Sequence, residues 1–429
     1  MFNKLLQSWL RVLSKMILNK YKPDIIGITG SIGKTSTKEA VATVLQNKFN
    51  IRRSPKNYNN EIGVPLAIIG VEKNPRRSVW GWLKVFFKAK KLILLRDKNY
   101  PEILVLEMGA DKPGDIKYLT KLAPCKVGVL TFISHAHTEF FKTIKKIAEE
   151  KKIIISHLQP DGFAILNFDN DLVMQNSSST KAKAITYGFK EGADIRATDI
   201  NIFKDEHTGW PTGLNFKVLY KGNAVPVFLP GMIAKSSVST ALAALAVGTV
   251  FGVNLVDGAQ ALSKFSGVAG RMRLIPGIKN SLIIDDTYNS SPEAAKAALE
   301  TLIAIEVKNG AQRYAVLGDM LELGPETENA HRELGFKVAE VGIDNLITVG
   351  EAAKHIAKAA KEAGIDEHRI YIFDNSEMAG RFLQEKLKPG DVVLAKGSQG
   401  VRVEKLVKEV MAEPMQAEQL LCRQAKEWK

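Results

Sequence analysis

Gly30, Ser31, Gly33, Lys34, Thr35 and Ser36 stand within one seven-residue stretch, between an apolar run and a helical pattern. The run is Ile25–Ile28, and Ala40, Val41, Val44 and Leu45 follow at helical spacing. Strand, glycine loop, Lys-Thr and helix, in that order, make a phosphate cradle. Glycines let backbone N–H groups close on an anion, and the helix N-terminus adds partial positive charge. Lys34 is placed for outer phosphates and Thr35 for a hydroxyl contact with Mg²⁺. The spacing is not the strict G-x-x-x-x-G-K-[ST], because Ile28 occupies the place of the first glycine. A plain Gly-rich turn beside a lysine is the alternative, and the flanking elements weigh against it.

Further clusters follow along the chain. Residues 56–66 gather asparagines with Asn60 and Glu61, by themselves a turn rather than a site. Glu107 ends an apolar run, where a carboxylate beside a phosphate loop can hold Mg²⁺ or simply be a solvated strand end. His135 and His137 come after the next run, as accident or as one metal ligand. Arg271 lies at an apparent junction, suited to a salt bridge between domains or to a phosphate clamp. Asp285 and Asp286 end another run, and the chain then turns through Asn289 and Pro292 into a helix.

Taken in order, these stretches resemble the Mur ligases. The loop from Gly30 to Ser36 is similar to that family's nucleotide loop, which also lacks the first glycine. The stretches "NNEIGVPL" (59–66), "LEMGA" (106–110), "HAHTEFF" (135–141), "GR" (270–271), "IDDTYNSSP" (284–292), "LGDMLELG" (317–324) and "KGSQGVRVEKLV" (396–407) resemble the MurF branch. The likeness runs over residues 24 to 410.

The resemblance implies an ATP-dependent amide ligase of peptidoglycan synthesis. Such an enzyme joins D-alanyl-D-alanine to a muramyl tripeptide through an acyl phosphate, with ATP and Mg²⁺ as cofactors. It implies that Lys34 and the loop hold the outer phosphates, and that Thr35, Glu107, His137 and a carbamylated Lys151 hold the metal. Without the family, Lys151 would read as a surface lysine on a charged helix. Arg271 would touch phosphate, and Asp286 and Asn289 the nucleotide. Asn60, Glu61, Lys396, Ser398 and Arg402 would face the substrates. Adenine contacts are expected to differ from the family's, because Ser236, Ser237 and Thr240 stand in the matching helix. Only about twenty residues precede the first run, so the family's uridine-nucleotide domain is not expected here. The alternatives are a related ligase with another acceptor, lipid-linked included, and a non-ligase P-loop or nucleic-acid-binding protein. No N-K-x-D base-reading motif is present and no specific nucleic acid is expected.

To position these groups the chain needs alternating strands and helices. With 429 residues, 45% hydrophobic and 25% charged, it is long enough for two or three domains. We expect an α/β fold: an amphipathic helix at 1–22, a central P-loop ATPase domain at 23–270 with a mostly parallel sheet, and a smaller Rossmann-like α/β domain at 271–429. An antiparallel annex is expected between 183 and 229, and helix over 236–264. Apolar runs near Leu282–Ile284, Ala315–Leu317, Leu346–Val349, Ile370–Phe373 and Val392–Ala395 supply the second sheet. Two cysteines, Cys125 and Cys422, suggest no disulfide framework, and a reducing cytoplasm is expected.

The net charge of +14 is unevenly placed: residues 1 to 100 hold 20 Lys/Arg against 5 Asp/Glu. A basic stretch of this kind suits nucleic acid, anionic lipid or a phosphorylated substrate. Residues 76–98 interleave Trp80, Trp82, Phe86 and Phe87 with lysines and arginines, and residues 1–20 carry Trp9 on an amphipathic pattern. Peripheral contact with an anionic membrane surface is therefore expected, against the alternative that both stretches pack on the core or on a second copy.

Overall fold

The computed structural model describes residues 2–55, 58–76, 78–134, 141–308, 310–425 and 428. Residues 24–230 build a nine-stranded sheet from β1 (Asp24–Thr29), β2 (Ile51–Arg53), β3 (Ile103–Glu107), β4 (Val127–Leu130), β5 (Phe163–Asn167), β6 (Lys183–Gly188), β7 (Ile195–Lys204), β8 (Pro211–Tyr220) and β9 (Asn223–Pro230). The order is β2-β3-β1-β4-β5-β6-β7-β8-β9. Strands β1 to β7 pair in parallel, and β7, β8 and β9 pair antiparallel. The antiparallel annex therefore begins one strand later than expected, since β6 still runs parallel to β5 and β7.

The central strands are buried along nearly their whole length and mostly apolar, because both faces are covered, with Thr29 and Glu107 as polar residues at the carboxyl ends of β1 and β3. Successive side chains alternate between the faces. Ile26, Ile28, Ile103 and Val105 pack with Val41 and Val44 of the helix Lys34–Leu45 and with the helix Lys235–Val250. Leu104 and Leu106 point the other way, into a cluster with the helices Phe2–Tyr21, Gly63–Ile69, Val79–Leu94 and Asp115–Leu122. The helical region expected over 236–264 is two helices, Lys235–Val250 and Leu255–Leu262. The break comes at Gly252, whose φ of +69° ends the first helix, and Asn254 caps the second by accepting from Asp257 N–H at 2.8 Å.

A six-stranded sheet follows, made of β10 (Arg273–Gly277), β11 (Ser281–Asp286), β12 (Arg313–Gly318), β13 (Asn345–Val349), β14 (Ile370–Phe373) and β15 (Val392–Lys396), in the order β10-β11-β15-β12-β13-β14. Each of the five apolar runs is one parallel strand. Strand β10, which the sequence pattern did not reveal, is an antiparallel edge containing Pro276, a residue that edge strands tolerate.

The topology sets the position of the chemistry. In the first sheet the strand order turns about β1, which lies between β3 and β4. Ligands of such sheets sit beyond the carboxyl ends of the strands at this switch point. The Gly30–Ser36 loop leaves β1 there and Glu107 ends β3, its register partner on β1 being Ile28. In the second sheet Asp286 ends β11 and Lys396 ends β15, in register with each other.

Candidate active site

Two glycines shape the loop after β1. A Cβ at Gly30 would sit 2.0 Å from Thr131 Oγ1, so only glycine lets the loop lie against β4's end. Gly33 has φ +87°, a left-handed conformation that costs glycine little, and it opens the helix Lys34–Leu45. Hydrogen bonds fasten the loop from outside. Ser31 N–H donates to Phe132 O at 2.6 Å, Ser31 Oγ–H to Ser134 O at 3.0 Å, and Thr131 Oγ1–H to Ile32 O at 2.6 Å. The helix N-terminus thus stays open toward an anion.

Lys34 donates from Nζ to Gly30 O at 2.7 Å, so its ammonium is folded over the loop. Its pKa is lowered from the ordinary lysine value, first by burial and then by the Arg271 charge, while Glu107 and Asp111 pull it back up. One helical turn on, Lys38 is wholly buried, with Nζ 3.6 Å from Glu107 Oε2. Glu107 is buried too. Its Oε1 accepts from Asn59 Nδ2 at 3.2 Å and its backbone N–H donates to Ser54 Oγ at 3.1 Å, but Oε2 accepts no hydrogen bond among the described residues. A buried carboxylate oxygen with spare capacity beside a phosphate cradle fits a hard cation. Sequence reasoning missed Lys38. Its position four residues after Lys34, hence on the same helix face, is the signal that marks it.

Lys151 ends the helix Ile144–Lys151 and is only 2% exposed. The preceding residue fixes it: Glu150 accepts from Gly114 N–H at 2.8 Å and Ile116 N–H at 2.7 Å, tying this helix to the start of Asp115–Leu122. Burial, and then the charge of Lys34, drop the Lys151 amine from 10.5 to about 7, against the opposing pull of Glu150 and Asp111. Its neighbour Lys152 is half-buried and caps the same helix. His135 and His137 lie outside the described residues.

The second sheet supplies the opposite wall. The Arg271 guanidinium stacks 4.2 Å from the Tyr288 ring, and its buried Nε has no hydrogen-bond partner among the described residues. Asp285, just below, accepts from Gly270 N–H at 2.9 Å and Thr287 Oγ1–H at 2.6 Å. Burial pushes its carboxyl up to about 6, and those hydrogen bonds limit the rise. Asp286 accepts from Lys396 Nζ at 2.5 Å and from Met272 N–H at 3.2 Å, and Lys396 also donates to Asn289 O at 3.1 Å. Tyr288 was not singled out in the sequence, although it lies within the "IDDTYNSSP" stretch.

Between the walls lies a cavity of about 820 Å³, well within the range of small-molecule sites. Ser31, Gly33 and Ser36 line one end, and Arg271, Asp286, Asn289 and Lys396 line the second wall. Ser236, Ser237 and Thr240 of the helix Lys235–Val250 face into it as well, beside apolar Ile200, Ile202 and Leu214. Other expected substrate residues are engaged elsewhere. Asn60 Oδ1 accepts from Ile62 N–H at 3.2 Å and Gly63 N–H at 2.9 Å, closing the turn that leads into the helix Gly63–Ile69. Glu61 accepts from Gln7 Nε2 at 3.2 Å. Ser398 stands behind the wall, its Oγ accepting from Leu321 N–H at 3.0 Å. The structure does not bring Arg402 to the cavity: it donates to Glu404 at 2.5 Å and lies 5.5 Å from the Trp428 ring.

Both halves of this arrangement have counterparts in known proteins. The Mur ligase middle domain matches residues 28–79 and 87–248, and the glutamate ligase domain of Mur ligases matches residues 270–399. The UDP-N-acetylmuramoyl-tripeptide–D-alanyl-D-alanine ligase of Bacillus subtilis (strain 168) is 31% identical over 406 residues, covering 95% of this chain and 80% of that protein. The chain belongs to the Mur ligase family, in its MurF branch. A crystal structure of MurF ligase from Thermotoga maritima in complex with ADP superposes on this Mur ligase with a TM-score of 0.77, at 29% identity, over 94% of this chain and 83% of the other. MurF from Acinetobacter baumannii gives 0.76 at 27% identity, over 96% and 80%. The α/β fold with mostly parallel sheets and the ligase class expected from the sequence are those of this branch.

Proposed function

We propose that this MurF-type ligase joins D-alanyl-D-alanine to a muramyl tripeptide in the cytoplasm, through an acyl phosphate formed from ATP. A peptide carboxylate oxygen attacks the γ-phosphorus, and the bond to the β–γ bridging oxygen breaks to release ADP. The neutral dipeptide amine then adds to the acyl carbon, loses a proton, and phosphate leaves as the amide forms. The single observation that carries this reading is the facing of the phosphate loop and Arg271 across one cavity.

Each step needs negative charge held still, and the chain's contribution is positioning and electrostatic stabilisation. Lys34 and the loop N–H groups hold the outer phosphates. Arg271, seated over the Tyr288 ring, offsets the charge that grows on the transferred phosphoryl group. Asp286 and Asn289 take the ribose side. Adenine lies by Ser236, Ser237 and Thr240 against the apolar strands, and Lys396 stands near the incoming dipeptide. Mg²⁺ fits this donor set: when bound, it neutralises phosphate charge. Thr35, Glu107, His137 and carbamylated Lys151 are the residues we assign to it. Among the described residues no three His, Cys, Asp or Glu side chains gather into a metal cluster. One or two carboxylates completed by substrate phosphates is the usual Mg²⁺ arrangement. A lysine amine lowered to about 7 is substantially neutral at cellular pH, as attack on CO₂ requires.

The inner face of the membrane is where we place the basic front end of the chain. The ligase reading is tested by phosphate release from ATP with D-alanyl-D-alanine and a panel of muramyl tripeptides, with product masses. Phosphate release that needs both substrates, and a product heavier by the dipeptide less water, is expected. ATP turnover independent of either substrate contradicts it.

A further inference from the structure

Seventeen large hydrophobic side chains are exposed among the described residues, and ten of them fall on the helices Phe2–Tyr21 and Val79–Leu94 or on Leu95, which caps the second. Trp80 is 77% exposed, Phe87 72% and Trp9 61%. Leu5, Trp9, Val12 and Met16 recur at helical spacing on one stripe of the first helix, and Trp80, Leu83, Phe87 and Leu94 do so on the second. The opposite faces of both helices, with Leu6, Leu10, Ile17, Val85, Ala89 and Leu92, bury into one shared cluster. Both stripes therefore look outward from the same core.

The pair is braced rather than loose. Lys20 Nζ donates to Leu92 O at 3.0 Å, Ile93 O at 2.9 Å and Leu95 O at 2.8 Å, closing the C-terminal end of the second helix. Trp82 Nε1–H donates to Arg76 O at 2.8 Å, and the Ser78 side chain caps the start through Gly81 N–H. The chain thus spends polar contacts on holding an apolar face in water, and large exposed apolar patches mark interaction sites.

Charge selects the partner. Neither helix contains an acidic residue. Lys15, Lys84, Lys90, Lys91, Arg96 and Lys98 are exposed on or beside the stripes. A second copy of the chain would bring two positive faces together. A surface that is negative and apolar at once, with room for tryptophan at its boundary, satisfies every group. No described helix is long and apolar enough to cross a membrane. Residues 80–86 also fall between the two stretches that match the Mur ligase middle domain, so this part of the face lies outside the matched scaffold.

We infer that the outward face of these two helices docks on an anionic lipid surface, seating Trp9, Trp80 and Phe87 at the headgroup boundary while the lysines meet lipid phosphates. This deepens the membrane part of the proposed function and rests on that part alone. The test is co-sedimentation of the full chain with vesicles of phosphatidylcholine and phosphatidylglycerol in equal parts, and with phosphatidylcholine alone. Wild type should bind the anionic vesicles about tenfold or more tightly, and salt should release it. The triple variants Trp9→Ser/Trp80→Ser/Phe87→Ser and Lys84→Glu/Lys90→Glu/Lys91→Glu should each lose about tenfold or more, with unchanged unfolding midpoints and unchanged ligation of soluble substrates. Absence of sedimentation, or equal sedimentation of wild type and both variants, overturns the inference. So does concentration-dependent dimerisation that the apolar variant abolishes. Vesicle binding by a chain that fails to ligate supports this surface while counting against the ligase reading.

Discussion

Lys396 and Asp286 form a buried ion pair, Nζ to Oδ2 at 2.5 Å, at the matched ends of β15 and β11. The pair joins two strands exactly where the second sheet meets the cavity, and Asp286 reaches on to Met272 N–H beside Arg271. Removing one partner leaves a buried charge uncompensated. Lys396→Met should destabilise the chain by about 3–5 kcal/mol, and Lys396→Met/Asp286→Leu should recover much of that loss. Urea unfolding of both variants measures it. Equal stability of the single variant and wild type would mean that the pair is not held as described.

Lys34→Ala should lower ATP turnover by about 10² to 10³, the scale of losing one charge-stabilising donor. Stability should change by less than about 1 kcal/mol, because the side chain packs over the loop rather than into the core. Steady-state kinetics beside a thermal unfolding curve separates these two effects. Near-normal turnover would remove Lys34 from the phosphate site.

Lys151 carries a pH signature. Its amine titrates near 7 in the folded chain and at the ordinary 10.5 when unfolded. Between those values the unfolded chain binds more protons, so stability from this group rises with pH across that window, and its penalty is fully present below about 7. Lys151→Met should flatten that slope. Carbamate formation needs the neutral amine and should increase as pH rises through about 7, seen by ¹³C NMR under labelled bicarbonate. Lys151→Ala should lack the signal and most of the activity, while Lys152→Ala should keep both.

Arg271→Lys keeps the charge but loses the guanidinium's seat over the Tyr288 ring and the fork of donors. We expect kcat to fall by about 10² or more, with a smaller change in the KM for ATP. A KM increase at constant kcat would place Arg271 in ground-state binding alone.

How much of this was legible depends on what each pattern encodes. Strands β1, β3, β4, β11 to β13 and β15 were readable because burial on both faces demands apolar runs, while β14 is a half-exposed edge that still reads as one apolar run, Ile370–Phe373. The phosphate loop was readable because Gly33 must adopt a positive φ and Gly30 must approach Thr131. Strand β2 has three residues, and β10 starts at Arg273 and ends in Pro276-Gly277, so neither leaves a run to detect. Polar residues after strand ends are the ambiguous class. Asn60 closes a turn and Ser398 braces a loop, while Asn289 lines the cavity, and their types alone do not tell these uses apart. Lys38 and Lys396 look like surface lysines in sequence, and only the fold buries them against Glu107 and Asp286.

The central claim is that ATP activates a carboxylate across this cavity. A muramyl tripeptide labelled with ¹⁸O in the reacting carboxylate tests it most directly, by mass analysis of the phosphate released on ligation. An acyl phosphate passes one carboxylate oxygen to that phosphate, so each turnover should yield phosphate carrying one label. Unlabelled phosphate accompanying full amide formation would contradict the account.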